Sequence, residues 1–518
     1  MRPSPLTQSA SRAPAIAILI SPDRQGMPLY TQLYRQLREH ILSGSLPPGA
    51  LLPSARVLAA DLQISRNTVE AAIEQLSGEG FVTRRVGVGT RVLNVKDAVP
   101  FLPRPRQTQG TTARARPSVV DAARQTAPVV LSELGELLQS GGQIEIDSDR
   151  HMGACTTDIS RFPAKTWNRL LAKAARDHGR ALLSGGELQG DRALREAISE
   201  HARLTRGLRC TPEQVLVLNS TQQAIDLAGR LLLNPNDVAL VEEPGYLSAR
   251  AALQTTGAEV RGVPVDRDGV NADQLARYPR ARLLYLTPSH QFPLGHTLSL
   301  SRRLTVLEWA RSNDAWIIED DYDSEFRYVG RPIAALQGLD SNERVLYVGT
   351  FNKVLFPGIR LAYLVLPHAL IKAFLCARRL TDGGSPPLIQ SALAAFLTAG
   401  HFTAHLRRAR RFYEARRDVL INHLHARCGA AVQLGVCETG LHLTVHLPAG
   451  TDDRALAIAG AGYGLGVAPL SRYYVECQDQ STIPRGLLLS YGGASESSIR
   501  ASIDAFAPLL TANAQAAS

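Results

Sequence analysis

Near the N-terminus, apolar residues recur every three or four positions in three successive stretches. In the first, PLYTQLYRQLREHILSG, Leu33, Leu37 and Ile41 fall on one face of a helix. Two further amphipathic stretches follow, in LPPGALLPSARVLAADL and SRNTVEAAIEQLSGEG. Ser54 and Ser65 stand just before them, where serine commonly caps a helix. The pattern therefore predicts three helices in this part of the chain.

The next segment, FVTRRVGVGTRV, alternates in strand fashion around two glycines, which predicts a β-hairpin. Helix, helix, turn, helix and hairpin together make a winged helix-turn-helix, predicted over residues 25–95. Residues 1–24 are interpreted as an N-terminal tail.

The composition changes after the predicted hairpin. Residues 96–145 are rich in Pro, Arg, Thr and Ala and lack a sustained hydrophobic period, which predicts a basic linker. Its arginines are interpreted first as solvated charges, and contact with DNA phosphates is the alternative.

Short apolar runs alternate with helical stretches over the rest of the chain, residues 146–518. The runs are QVLVLNS, DVALVEE, RLLYLTP, AWIIEDD, RVLYVGT and RLAYLVLP. Continuous apolar strands separated by helices are typical of a parallel sheet that is buried on both faces. This region is predicted to be one large α/β domain with a mainly parallel sheet.

Length and composition narrow the class of protein. A chain of 518 residues with 45% apolar residues is too long for one core, so two or more folded domains are expected. The net charge of +10 suits a polyanionic partner, although many basic proteins have none. Six scattered cysteines without a C-x-x-C pair favour reduced thiols over a zinc site or a disulfide framework. No stretch is long and apolar enough to cross a membrane, so an intracellular, cytoplasmic protein is expected. No bound metal is expected.

Chemically useful groups follow the predicted strand ends, where ligands bind in parallel sheets. STQQA opens a helix whose backbone N–H groups can hold an anion such as phosphate. Asp320 and Tyr322 follow one strand, and Lys353 follows the next. Separately each group is more often structural than functional. Together, an amine, a carboxylate, a phenol and anion donors match the needs of pyridoxal 5'-phosphate (PLP).

The order and context of these motifs resemble the aspartate aminotransferase family of fold type I. They resemble more closely the MocR and GabR-like regulators, which join a GntR-type winged helix to such a domain. The resemblance covers nearly all of residues 28–510 and includes SGGELQGDRALREAI and TPSHQFPLG.

This resemblance implies a role for each matching residue. Lys353 would form the Schiff base, Asp320 would pair with the pyridine nitrogen, and Tyr322 would approach the ring oxygen. Tyr246 would stack on the ring. The implied phosphate cup consists of Thr221, Gln222, Thr350, Asn352 and Arg360.

The N-terminal part resembles the GntR family through PPGALLPSARVLA followed by ISRNTVEAAIEQLSGEGFV. The resemblance implies that the third helix enters the major groove of an operator in double-stranded DNA. The implied DNA contacts are Ser54, Arg56, Ser65, Arg66, Asn67, Thr68, Arg84 and Arg85. Glu70 is acidic where some relatives carry a DNA-contacting arginine, which leaves the operator sequence open.

Some positions depart from the enzyme pattern. Phe292 stands where many aminotransferases have asparagine, and Leu488 stands where they have the arginine that clamps a substrate carboxylate. Arg472 is an alternative clamp for the effector, with an ordinary surface arginine as the simpler interpretation. Ser248 replaces an arginine of the GABA-sensing member, so GABA is not favoured as the effector.

The sequence thus predicts a PLP-dependent transcriptional regulator that senses PLP or a small amino compound through an external aldimine at Lys353. A homodimer is expected, with the linker crossing to the partner subunit in a domain-swapped arrangement. Two alternatives remain open. One is a working aminotransferase that carries a DNA-binding domain, and the other is a regulator whose large domain only dimerises. Weak transaminase side activity is compatible with the prediction that the protein is not primarily an enzyme.

Overall fold

The computed structural model describes residues 18, 27–85, 89–94, 130–152, 157–330, 333–464, 466–477 and 482–517. The chain divides into two compact units, Met1–Gln125 and Thr126–Ser518. Most of the predicted N-terminal tail lies outside the described residues, as do residues 95–129 of the hairpin end and linker.

The first unit has the predicted helices and hairpin. Its elements are α1 (Leu29–Leu42), β1 (Leu51–Leu52), α2 (Ala55–Asp61), α3 (Arg66–Gly78), β2 (Val82–Arg85) and β3 (Gly89–Val92). The hydroxyls of Ser54 and Ser65 accept hydrogen bonds from the backbone N–H groups of Val57 and Thr68, at 3.4 and 3.1 Å. Both predicted N-caps are therefore confirmed. The strands form an antiparallel sheet in the order β1-β3-β2, and the apolar helix faces close a single core.

The second unit contains eleven further α-helices and twelve further strands within its described residues. The helices are α4 (Glu133–Met152), α5 (Ala164–His178), α6 (Arg192–Arg206), α7 (Thr221–Leu232), α8 (Leu247–Gln254), α9 (Leu300–Ser312), α10 (Ile371–Thr381), α11 (Pro387–Thr398), α12 (His401–Cys428), α13 (Asp453–Ala461) and α14 (Glu496–Ala517). The strands are β4 (Val215–Leu218), β5 (Val238–Glu243), β6 (Glu259–Asp266), β7 (Gly269–Val270), β8 (Ala281–Leu286), β9 (Trp316–Asp321), β10 (Val345–Thr350), β11 (Ala362–Val365), β12 (Gln433–Leu434), β13 (His442–His446), β14 (Gly466–Pro469) and β15 (Gly486–Ser490).

The large sheet has eight strands in the order β4-β11-β10-β9-β8-β5-β6-β7. Strands β10, β9, β8, β5 and β6 run parallel, whereas β11 and β7 are antiparallel to their neighbours. All six predicted apolar runs are strands of this sheet, and most of their residues are buried because helices cover both faces. The predicted mainly parallel α/β domain is confirmed. The parallel strands bring their carboxyl ends to one edge, which positions the candidate site.

Two features of the second unit were not predicted. A four-stranded antiparallel sheet, in the order β12-β13-β15-β14, follows the large sheet along the chain. Helix α4 begins inside residues 96–145, the range predicted as a linker, and crosses the predicted boundary at residue 145. In α4, Gly141 lies so close to α8 that an added Cβ would be 3.1 Å from the Ala251 Cβ. This helix thus packs on the α/β domain, a contact that its glycine-interrupted sequence did not indicate.

Two further expectations concern thiols and membranes. Cys210, Cys376, Cys428, Cys437 and Cys477 are all free. Within the described ranges, no helix combines the length and apolarity needed to span a bilayer.

Candidate functional site

Asp320, near the end of β9, and Lys353, just beyond β10, lie at the same edge of the sheet. The two strands are parallel neighbours, with Asp320 opposite Val348. Lys353 lies three residues beyond Thr350, at the end of β10. The positive charge of Lys353 is among the causes that lower the pKa of Asp320, so the two groups are close enough to interact.

Asp320 is buried, with 4% of its surface exposed. Its Oδ2 accepts a hydrogen bond of 2.7 Å from the Tyr285 hydroxyl, whereas its buried Oδ1 has no partner. Burial raises the pKa of Asp320 to about 7, against the opposing effects of Tyr285 and Lys353. An unpaired carboxylate oxygen at a ligand-binding edge is a position for a cationic N–H donor.

The adjacent Asp321 has a different environment because successive side chains of a strand point to opposite faces. Its Oδ2 accepts hydrogen bonds from Arg206 Nε at 2.6 Å and from the Tyr347 hydroxyl at 2.5 Å. Asp321 is therefore held by the core, and Asp320 alone of this pair keeps an oxygen without a partner.

Tyr322 belongs to a buried polar group that includes an unpredicted histidine. The Tyr322 hydroxyl lies 2.9 Å from His290 Nδ1, and the same nitrogen lies 2.8 Å from Asp323 Oδ1. Gly440, with φ +89°, packs against this pair, because a Cβ there would be 2.1 Å from His290 Cε1. The orientation of Tyr322 is thus fixed by His290 and Asp323.

Aromatic rings surround this group. Tyr246 meets Phe292 edge to face at 5.9 Å between ring centroids, and Phe292 meets Tyr322 in the same way at 6.2 Å. Tyr246 also contributes to raising the pKa of Tyr285, the partner of Asp320. The predicted stacking residue therefore lies beside the predicted carboxylate.

The N-terminus of α7 supplies the predicted anion donors. Ser220 caps this helix by accepting a hydrogen bond of 3.1 Å from Gln223 N, and Thr221 is its first residue. Gln222 donates through Nε2 to the Ser248 carbonyl at 2.9 Å. The buried Oε1 of Gln222 and Oγ of Ser248 have no hydrogen-bond partner. The Ser248 hydroxyl and the backbone N–H groups of the helix N-terminus can donate to an anionic ligand, whereas the Gln222 oxygen can only accept a hydrogen bond.

The loop after β10 is held by the other predicted phosphate-cup residues. Thr350 Oγ1 accepts a hydrogen bond from Asn352 N, and Asn352 Oδ1 accepts one from Leu361 N, both at 3.2 Å. Arg360 is exposed and has φ 49° and ψ 48°, a left-handed conformation that is costly for a residue with a Cβ. Asn352 thus closes the loop that carries Lys353 and Arg360.

The two candidate effector-clamp positions differ in exposure. Leu488 is fully buried in an apolar cluster with Ala468, Leu470 and Tyr473. Arg472 is half-buried in the 3-10 helix Leu470–Tyr473. Its role as a clamp stays a prediction.

Sequence reasoning missed four residues of this site. They are Tyr285, His290, Asp323 and His442. Polar residues inside apolar runs, as in RLLYLTP and GLHLTVH, were the available signal. A single polar residue in a strand usually hydrogen-bonds within the protein and has no functional role. Without the fold, these residues therefore gave only weak evidence of a site.

In the first unit, α3 presents its predicted DNA-contacting residues at the surface. Arg66 and Asn67 are exposed, Thr68 is half-buried, and the wing residues Arg84 and Arg85 are exposed. Glu70 lies between helix and wing, with its carboxylate 2.6 Å from Arg84 NH2 and 3.7 Å from Arg66 Nε. The acidic residue noted in the sequence thus pairs with two of the predicted DNA contacts.

The preceding helix contributes the remaining predicted contacts. Arg56 in α2 is exposed, whereas the hydroxyls of Ser54 and Ser65 cap their helices. A capping hydroxyl fixes the helix N-terminus, whose backbone N–H groups are suited to phosphate.

The residues of the second unit fit PLP. Asp320 would offer its unpartnered, buried Oδ1 to the pyridine nitrogen, and Tyr322 and Tyr246 would lie at the ring. Lys353 would hold the cofactor covalently, and the α7 N-terminus with Arg360 would hold its phosphate. When bound, PLP supplies an aldehyde that condenses with amines and a ring that accepts electrons.

Comparison with known proteins covers both units. Residues 29–92 match the family "Bacterial regulatory proteins, gntR family", and residues 155–459 match "Aminotransferase class I and II". The chain is 37% identical over 484 residues to the probable rhizopine catabolism regulatory protein MocR of Rhizobium meliloti, covering 92% of this chain and 93% of that protein. It is 30% identical to the pyridoxine biosynthesis transcriptional regulator PdxR of Corynebacterium glutamicum, covering 91% and 93% of the two chains.

The fold also matches a solved enzyme structure. The multiple substrate aminotransferase of Thermococcus profundus superposes with a TM-score of 0.67 and 26% identity, covering 74% of this chain and 98% of that one.

Both matched domains, in the same order as in these regulators, lead to one assignment. The chain belongs to the MocR-type transcriptional regulators, in which a GntR-family DNA-binding domain precedes an aminotransferase class I and II domain whose cofactor is pyridoxal 5'-phosphate.

Proposed function

We propose that this protein senses PLP itself or a small amino compound and adjusts transcription from its operator accordingly. One observation carries this proposal. A buried site with an unpaired Asp320 oxygen, beside Lys353, lies on the same chain as a winged helix-turn-helix, while Leu488 occupies the place of a substrate clamp. Such a site can bind and retain an amine without a dedicated means of turning over amino acids.

Lys353 is the centre of the proposed sensor. An incoming amine would displace its Nζ from the aldehyde carbon of the cofactor, giving an external aldimine and returning Lys353 as a free amine. Asp320 would hold the pyridinium N–H, while His290 and Asp323 would keep the Tyr322 hydroxyl at the ring oxygen. Asn352 would position the loop that brings Arg360 to the phosphate.

The DNA-binding unit would read the operator through α3 and the wing. We assign base-edge or phosphate contacts to Arg66, Asn67 and Thr68, and backbone contacts to Arg56 and Arg84. The capping residues Ser54 and Ser65, and Arg85 in the wing, complete this proposed surface.

Operator reading by a small winged helix and cofactor sites of this fold both favour a homodimer, which we propose as the working state. The linker would carry each DNA-binding unit to the partner subunit. Small-angle scattering of the PLP-loaded protein should give the mass of two chains, and the mass of one chain would contradict this part.

The experiment that tests sensing is a titration followed by visible absorption. The full chain, loaded with PLP, is mixed with amines, amino acids and taurine, and then with the matching oxo acids. A band shift that persists supports the sensor. Conversion to the pyridoxamine form, reversed by an oxo acid, would instead establish an aminotransferase, the role of the structural neighbour.

A lysine substitution tests whether the cofactor site controls transcription. In a Lys353→Ala strain, the promoter response to the effector should be lost, because the amine exchange needs this side chain. Lys372→Ala, at an exposed position of α10, is the matched control and should respond normally. An unchanged response in Lys353→Ala would mean that the large domain only dimerises.

A further inference from the structure

The position expected to hold a carboxylate clamp lies in an apolar environment. Leu488 is in the middle of β15 and is fully buried against Leu470, Tyr473 and Ala468. Its neighbours Leu487 and Leu489 belong to a different core, because alternate residues of a strand face opposite sides. The side of β15 that carries Leu488 therefore differs from the side that packs on the main core of the domain.

A histidine occupies the same side of this sheet. In the antiparallel pair of β13 and β15, His442 is opposite Ser490, and Thr444 is opposite Leu488. Opposed residues point to the same face, and so do residues two apart on one strand. His442 and Leu488 are thus diagonal neighbours on one face of the sheet.

His442 has the properties of a ligand-binding group. It is 4% exposed, and its buried Nε2 has no hydrogen-bond partner. Its ring stacks on His290 at 4.9 Å between centroids and meets Phe292 edge to face at 5.6 Å. Both rings belong to the group around Tyr322, so His442 continues the proposed sensor site.

The charge state of His442 limits what it can recognise. Burial, followed by the nearby His290 and Lys353, holds the pKa of His442 well below its ordinary value. The imidazole is therefore neutral. Because its N–H is used by the hydrogen bond to the Pro293 carbonyl, the unpartnered Nε2 can accept a hydrogen bond but offers no positive charge. Burying a ligand carboxylate costs free energy because the charge loses its water. A neutral imidazole would offset little of this cost, whereas an arginine would offset it with a bidentate ion pair.

We infer that His442 is a specificity-determining residue that binds the far end of the effector, which is an amine ending in an uncharged hydrogen-bonding group such as a hydroxyl. This inference rests on the proposed sensing function and names its ligand class. His442 binds the hydroxyl, while the apolar surface around Leu488 packs on the carbon chain.

A matched pair of ligands tests this inference. The PLP-loaded full chain is titrated with 3-aminopropan-1-ol and with 3-aminopropanoate, which differ only in a hydroxymethyl against a carboxylate end. Visible absorption gives the affinity for each, and operator binding gives a second, independent readout. The amino alcohol should bind at least about tenfold more tightly, equivalent to about 1.4 kcal/mol.

Four variants locate the preference. His442→Leu should lower the affinity for the amino alcohol about tenfold, whereas His442→Gln, which keeps a neutral donor and acceptor, should stay within about threefold. Leu488→Arg should raise the affinity for the amino acid. His425→Gln, at an exposed position of α12, is the control and should bind both ligands as the parent protein does.

The outcomes separate this inference from the proposed function. A preference for the carboxylate ligand, or equal binding by His442→Leu and the parent, would overturn the role of His442 while leaving sensing intact. If the carboxylate preference then disappeared in Arg472→Met, Arg472 would be the clamp. If neither ligand nor any other amine changed the absorption or the operator affinity, sensing itself would fail and this inference with it.

Discussion

The two units place their functional charges in opposite environments. In the first unit, Glu70 pairs with the predicted DNA contacts Arg66 and Arg84, and the side chains of Arg66, Glu70 and Arg84 are 70%, 35% and 41% exposed. In the candidate cofactor site of the second unit, Asp320 and His442 are each 4% exposed and keep an unpaired polar atom. Exposed ion pairs contribute about 0–1 kcal/mol, whereas an unpaired buried polar group costs more. The exposed charges thus pair with each other at the surface, whereas the buried site keeps polar atoms that a ligand can satisfy.

The largest expected effect in this comparison is on PLP affinity in Asp320→Asn. The variant keeps the shape of the site but loses the negative charge opposite the pyridinium N–H. A hydrogen bond to a charged group contributes about 1.5–3 kcal/mol, so affinity should fall by one to two orders of magnitude. Calorimetric titration of the cofactor-free protein measures this loss. Tyr285→Phe, which removes only the partner of Oδ2, should lose less.

In the cofactor-free protein, the effect of Asp320→Asn on thermal stability should depend on pH. Burial raises the pKa of Asp320 to about 7, so the folded state holds this proton more tightly than the unfolded state. The resulting stability is complete below about pH 4 and is lost as pH rises through the folded pKa. Asp320→Asn does not titrate, so its melting temperature relative to the parent should rise from about pH 5 to about pH 8. If the difference in melting temperature between Asp320→Asn and the parent stayed constant with pH, the raised pKa of Asp320 would be contradicted.

The same contrast explains what could be predicted from the sequence. The helices and strands with a clear hydrophobic period were predicted correctly, because that period reflects the burial of one face. Asp320 and Lys353 were candidates because strand ends of a parallel sheet meet at one edge, and the structure places both residues there. His442 was missed because its partner His290 is distant in sequence and only the fold brings the rings together. Helix α4 was missed because its contact with α8 is likewise long-range.

A smaller effect is expected at the DNA surface, where the side chains are already hydrated. Arg66→Ala should weaken operator binding by about 1–3 kcal/mol if Arg66 reads a base. Its thermal stability should be unchanged, because the side chain is mostly exposed. Fluorescence anisotropy with operator and random duplexes measures the difference, with Arg35→Ala on α1 as the control. An equal loss on random DNA would mean that Arg66 contacts only phosphate.

The smallest effect is expected from Glu70→Gln, which tests whether the exposed ion pairs restrain the DNA contacts. The change removes the carboxylate that pairs with Arg84 at 2.6 Å and lies 3.7 Å from Arg66. Both guanidinium groups then become available to phosphate, and one repulsive charge is removed from the DNA-facing helix. Because exposed pairs contribute at most about 1 kcal/mol, affinity for operator and random DNA alike should rise by about two- to fivefold.

A matched variant separates local pairing from net charge. Glu74→Gln removes the same charge one helical turn later, where the side chain is exposed, and should raise affinity less. Raising the salt concentration should shrink the gain from Glu70→Gln, since exposed charges are screened. If Glu70→Gln instead lost operator affinity and kept its affinity for random DNA, Glu70 would itself read a base, as a carboxylate can by accepting from cytosine N4. The exposed surface would then share with the buried site a polar atom that only its ligand satisfies.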